Sequence, residues 1–253
     1  MEVSTFLEQH HTQLQECEQP VIHIKNTATQ TVPWLDPLPL RASKFLGKPI
    51  FPLNKAYPTD KKKRPMLLVA HIDFKQIPEN ELDLPKDGVL QLFFSADHWY
   101  TDDVKVIYHA EAELQASLIE DFSFIDPKYY KEMPADGVQE LSFEVGIDQG
   151  SMEDEGFMDA LSDANIPDID EELEDSLYDH FHGEGHKIGG YATFTQGDPR
   201  GYDHDKRWDF QLLQIDSDDE IMFGDAGVAH VFISHDALKA KNFDQAYFYW
   251  DCC

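Results

Sequence analysis

The sequence predicts an α+β fold: mostly antiparallel sheets with packed helices, and an internal duplication giving two pseudo-symmetric halves. Three observations predict it. Short apolar runs of β type, bounded by turn residues, recur along the 253-residue chain. The connections between them are short and turn-like, which favours antiparallel pairing. Three segments also recur in the same order at nearly one offset.

The elements follow in chain order. Residues 5–17 read as a helix, with Thr5 and Glu8 spaced as a capping box and Phe6, Leu7, His10, His11, Leu14 and Cys17 at helical spacing. Pro20 ends it, and residues 21–24 read as a short strand before a polar passage to Arg41. Residues 66–73 are apolar on both parities until their polar end, which predicts a strand covered on both faces. A turn at residues 84–88 leads to strands at 89–95 and 103–109.

The duplication rests on spacing. Residues 43–47 resemble 186–190, and 71–73 resemble 214–216, both at a shift of 143 positions. Residues 88–94 resemble 227–233 at a shift of 139, as after a four-residue loop deletion. The expected organisation is one domain over residues 1–253. It comprises the N-terminal helix 5–17, a first repeat at about 41–109, an acidic connector at about 132–186 and a second repeat at about 186–253.

Charge narrows the function classes. Lys plus Arg number 20 against 49 Asp plus Glu, a formal charge of −29, which disfavours nucleic acid and anionic membrane surfaces as partners. With 42% hydrophobic and 12% aromatic residues, the chain carries enough apolar surface to fold. No stretch approaches the roughly 20 apolar residues of a membrane span, and the N-terminus lacks the features of a signal peptide. Three cysteines, two of them adjacent at the C-terminus, point to a reducing, cytoplasmic setting.

Residues 132–186 contain no Lys or Arg but 18 carboxylates, more than half of the net charge. Ile169, Leu173 and Leu177 place one apolar stripe on an acidic helix that begins near Pro167. Its acids, Asp168, Asp170, Glu171, Glu172, Glu174 and Asp175, are the candidate contacts for a basic protein. This makes a protein-interaction module the first expectation and leaves catalysis open.

The sequence carries few motifs of known chemistry. No P-loop, G-x-S-x-G, dinucleotide fingerprint or H-E-x-x-H occurs. His182-Gly183-Glu184 spells half of a zinc deaminase site, but these cysteines cannot form the other half. His180, His182 and His186 form a weak metal candidate, because Gly183 and Gly185 break the helix that would align them. No cofactor or metal is therefore expected, and the acidic run 216–220 and the basic run 61–64 read as solvated loops. A rival expectation is a small-ligand site or enzyme with a cleft between the repeats, lined by His71, Asp73, Gln196, Gln214 and Asp216. The sequence leaves the oligomeric state open.

A family resemblance lies in ordered motifs. Lys44-Phe45-Leu46-Gly47-Lys48-Pro49-Ile50-Phe51-Pro52, Tyr57-Pro58, residues 67–73 and Leu84-Pro85-x-x-Gly88-x-Leu90-Gln91-x-Phe93-Phe94 come first. Lys187-x-Gly189-Gly190-Tyr191 with Gln196, residues 212–216 and Gly224-Asp225-x-Gly227 leading to Val231-Phe232-Ile233 follow. Over roughly residues 40–253 the chain resembles the YwqG-like family of bacterial proteins of unknown function. It departs from the family pattern at Leu46, His71 and Ala192. The resemblance implies a duplicated α+β fold and a bacterial cytosolic protein, and it brings no catalytic residues. The occurrence of family members near toxin–immunity and stress loci implies a binding role, of immunity or inhibitor type.

Overall fold

The computed structural model describes residues 2–98, 102–166, 169, 171–201 and 208–252. Two short helices come first, α1 (Val3–Gln9) and α2 (His11–Cys17). They divide the expected helix at His10, whose φ of −110° and ψ of 15° leave the helical region. Strand β1 (Gln19–Ala28) follows, then β2 (Lys44–Phe45), β3 (Leu67–Asp73), β4 (Val89–Phe94), β5 (Val104–His109) and β6 (Gln139–Asp148). Helices α3 (Glu155–Asp163) and α4 (Glu171–Tyr178) precede β7 (Lys187–Gly189), β8 (Phe210–Ile215), β9 (Val228–Ile233), α5 (His235–Lys239) and β10 (Tyr247–Asp251).

The expected α+β arrangement of two pseudo-symmetric halves with packed helices is not what forms. All ten strands join one antiparallel sheet in the order β10-β9-β8-β7-β1-β6-β2-β3-β4-β5, curled into a nearly closed barrel. Its ends approach through aromatic contacts. Phe94 of β4 meets Phe248 of β10 with ring centroids 5.1 Å apart, and Tyr108 of β5 stacks on Phe243 at 4.7 Å. The helices are few and short.

The physical reason lies in two strands. β1 and β6 pair over ten positions, from Gln19↔Asp148 to Ala28↔Gln139. β1 also pairs with β7, and β6 with β2, so this ribbon hydrogen-bonds the remaining strands into one sheet around one interior. β6 lies within the acidic stretch. Its apolar positions alternate with Glu140, Glu144 and other exposed residues, so its charge content masks a period of two.

Bulges fit β3 and β8 to the interior. Register shifts between Leu68 and Ala70, and between Gln211 and Leu213, break the alternation once in each strand. Leu67, Val69, Ala70 and Ile72 thus all join the main core, as do Leu212, Leu213 and Ile215. Met66, Leu68, Phe51 and Phe93 form a separate cluster. Both faces of β3 are covered, as its uniform apolarity predicts. A further core unites Phe6 and Leu14 of α1 and α2 with Phe157, Leu161, Leu173 and Leu177 of α3 and α4. Among the described residues no helix is long and apolar enough to cross a membrane.

Candidate functional site

Two polar rows cross the sheet beneath its covering loops. In the first, backbone register places Lys44 opposite His71, and His71 opposite Gln91. In the second, Lys187 stands opposite Gln214, and Gln214 opposite His230. All six residues are buried. Buried charge persists only when paired, and both lysines are. Lys44 Nζ donates to Asp36 Oδ2 at 2.9 Å and to the carbonyls of Pro39 and Lys48. Lys187 Nζ donates to Asp148 Oδ2 at 2.8 Å.

These pairs shape the loops above them. Asp36 Oδ2 also accepts the backbone N–H of Lys48, and Asp148 Oδ2 that of Tyr191. Gly47 adopts a φ of +93°, and a Cβ there would lie 2.5 Å from Asp36 Oδ2. The glycine is required because the chain turns against a buried carboxylate in a left-handed conformation.

The five expected ligand residues are not gathered in one cleft. His71 and Asp73 belong to β3, whereas Gln214 and Asp216 belong to β8 and its end, with four strands between them. Asp73 accepts from Arg41 Nε at 2.8 Å and from the backbone of Lys75. Gln214 donates to the carbonyls of Gly183 and Gly185 and accepts from the backbone of Thr193. Asp216 accepts from the backbone N–H groups of Gly185 and Ser217. Gln196 is exposed, with its side-chain amide on the Cys252 carbonyl. These contacts anchor turns.

Histidines hold the remaining polar capacity. Gln91 Nε2 faces His71 Nδ1 at 3.3 Å, and no hydrogen-bond partner meets His71 Nε2 or either ring nitrogen of His109, whose Nδ1 lies 3.7 Å from Glu113 Oε2. Burial first, then the charges of Lys44 and Arg41, pushes the His71 imidazole well below its ordinary value. Burial, with Lys55 adding to it, brings His109 down to about 4. Burial first, then the charges of Arg200 and Lys187, pushes His230 well below its ordinary value. The three rings are therefore neutral near pH 7.

The weak metal candidate is dispersed. His180 and His182 are exposed, while His186 is buried with both nitrogens engaged. Its Nδ1 accepts the N–H of Asp216, so its proton sits on Nε2 and points to Asp218 Oδ2 at 3.0 Å. Among the described residues no three His, Cys, Asp or Glu side chains form a group able to hold a metal.

The acidic helices supply a different arrangement. Leu173 and Leu177 are buried and Ile169 packs beside them, so α4 docks by the expected stripe. Glu174 is half-buried and Asp175 exposed. Glu171 and Glu172 lie in α4, and Asp168 and Asp170 fall outside the described residues. The exposed Tyr178 is the meeting point. Burial first, then the charges of Glu153, Glu174, Asp175 and Glu155, raises its hydroxyl above the ordinary phenol value. Sequence spacing could not find Glu153 and Glu155, because they arrive from the turn before α3 and from its first residue.

No lysine or arginine pairs with these four carboxylates among the described residues. Elsewhere several cations do pair with acids, as in Lys62–Asp97, Arg41–Glu111 and Lys55–Glu113. A domain of unknown function, DUF1963, matches residues 43–252. The chain belongs to the DUF1963 family. The DUF1963 match begins beside Lys44 and ends after β10, so α1, α2 and β1 precede it, although β1 stands in the middle of the sheet. Comparison with curated proteins returns no match.

Proposed function

We propose that the protein is a cytoplasmic interaction module whose contact centre is Tyr178, ringed by Glu153, Glu155, Glu174 and Asp175, and whose partner is a basic protein. The carrying observation is that four carboxylates from two segments lie near enough to one exposed tyrosine to raise its hydroxyl, with no lysine or arginine paired to them among the described residues. An arginine or lysine of a partner gains there both the ring face and the surrounding negative charge. Tyrosine is also among the residues that dominate interface energies. The ordered YwqG-like motifs support membership of that branch and an immunity or inhibitor role.

The test is capture from lysate by the wild-type protein and by a Glu155→Gln/Glu174→Gln/Asp175→Asn variant, with elution in about 0.5 M salt, where screening shortens to about 4 Å. The expected result is a basic protein held by the wild type, released by salt and lost in the variant. Equal capture by the neutralised variant overturns the proposal.

A further inference from the structure

A cavity of about 340 Å³ opens where the loop after β2 meets the segment that carries Glu120 to Tyr130. Its size is at the small end of the roughly 300–1,000 Å³ usual for ligand sites. Trp34, Phe122 and Tyr130 supply aromatic walls, with Trp34 and Tyr130 centroids 6.0 Å apart. Trp34 is partly exposed, as are its sequence neighbour Leu35 and Phe124, whose ring centroid lies 5.9 Å from that of Phe122.

The same cavity is lined by one cationic residue, Lys48, and by two acidic ones, Glu120 and Asp121. Neither Lys48 nor Glu120 belongs to an ion pair among the described residues, and the two do not pair with each other. The other neighbouring carboxylate, Asp121, accepts the backbone N–H of Ser123 at 2.8 Å. Lys48 is firmly based. Its N–H donates to Asp36 Oδ2 and its carbonyl accepts from Lys44, so the buried pair fixes the backbone from which this ammonium extends. Leaving opposite charges apart on the walls of one aromatic concavity forgoes their mutual attraction. A molecule that carries both charges and an apolar body between them restores it.

We infer that this cavity binds a zwitterionic small molecule of the α-amino-acid class with an aromatic or bulky apolar side chain. The ligand carboxylate meets Lys48, its ammonium meets Glu120, and its side chain enters between Trp34, Phe122 and Tyr130. The site is independent of the acidic surface around Tyr178.

Calorimetric titration with L-phenylalanine, phenethylamine and 3-phenylpropanoate tests this. L-Phenylalanine is expected to bind at least about tenfold tighter than either singly charged analogue. Lys48→Met should lower its affinity to that of phenethylamine while phenethylamine binding persists, which shows that the cavity is intact. Glu120→Gln should lower it to that of 3-phenylpropanoate, and Trp34→Ala should weaken all three. No saturable binding of any probe overturns the inference. So does L-phenylalanine binding no tighter than the analogues, or unchanged by Lys48→Met.

Discussion

The ammonium of Lys44 and the carboxylate of Asp36 meet at 2.9 Å, with neither side chain exposed to solvent. The carboxylate simultaneously receives the N–H groups of Leu38 and Lys48, so one ion pair joins β2 to the loops on both sides of it. Burial lowers the lysine's proton affinity and Asp36 opposes that fall, so the charge depends on its partner. Lys44→Met should cost about 3–5 kcal/mol, because it strands a buried carboxylate. Removing the exposed Lys25–Glu144 pair by Lys25→Met should leave the urea midpoint unchanged. Equal midpoints for the two variants would show that the buried pair does not organise the fold.

Gly47 tests the same junction from the backbone side. Gly47→Ala places a side chain at a φ of +93° and against Asp36. The strain and the displaced carboxylate together should cost about 1–3 kcal/mol. Gly185 makes the control. Its φ is also +93°, but no atom lies within 4 Å of an added Cβ, so Gly185→Ala should cost less. The difference between the two urea midpoints reads the close approach apart from the dihedral.

Stability should fall on acidification well above the carboxylate range. His109 has a folded value of about 4, set first by burial and then by Lys55, with Glu113 opposing. An unfolded histidine titrates near 6.5. Between about pH 4 and 6.5 the unfolded chain thus binds more protons than the folded one, so stability rises with pH across that window. His109 alone contributes up to about 1.4 kcal/mol per pH unit near its middle. His71 and His230, also displaced downward, act in the same direction. His109→Gln should therefore flatten the slope of unfolding free energy against pH without abolishing it. An unchanged slope would place the ring in solvent.

What the sequence makes legible follows from how locally each feature is encoded. Strands β3, β4, β5 and β9 are readable because both of their faces, or their flanking turns, carry continuous apolar signals. Strand β6 is hidden, because acids, Glu140 and Glu144, stand between its apolar positions in a run already read as a charged connector. The sheet order was hidden with it, since the ribbon that β6 forms with β1 converts two sets of strands into one barrel. His71 and Gln214 occupy buried polar rows rather than one cleft. Their lysine and aspartate neighbours were missed: Asp36 is 8 residues from Lys44, but Asp148 is 39 residues from Lys187. No spacing rule joins such pairs. The convergence on Tyr178 and the cavity beside Lys48 are likewise products of tertiary contact.

Arg200 links the acidic helices to the sheet, and its removal should loosen them first. The guanidinium donates to Asp198 and, at 2.7 Å, to Asp154 Oδ2, while its carbon lies 4.5 Å above the Phe232 ring. Asp154 has three tasks. Its Oδ1 accepts the N–H of Gly156 and caps α3, and its Oδ2 accepts both Arg200 and the N–H of Ala192. Arg200→Met leaves Asp154 and Asp198 buried with backbone donors alone, at an expected cost of about 3–5 kcal/mol. Arg200→Lys keeps the charge but loses the planar fork that spans two carboxylates and stacks on Phe232, so its cost should fall between wild type and Arg200→Met. Hydrogen exchange should localise the effect. Amides of residues 155–163 should lose protection in Arg200→Met before those of β3 and β4, because the N-cap of α3 shares its carboxylate with the arginine. Uniform loss across both regions would mean that Arg200 supports the whole barrel rather than its acidic layer.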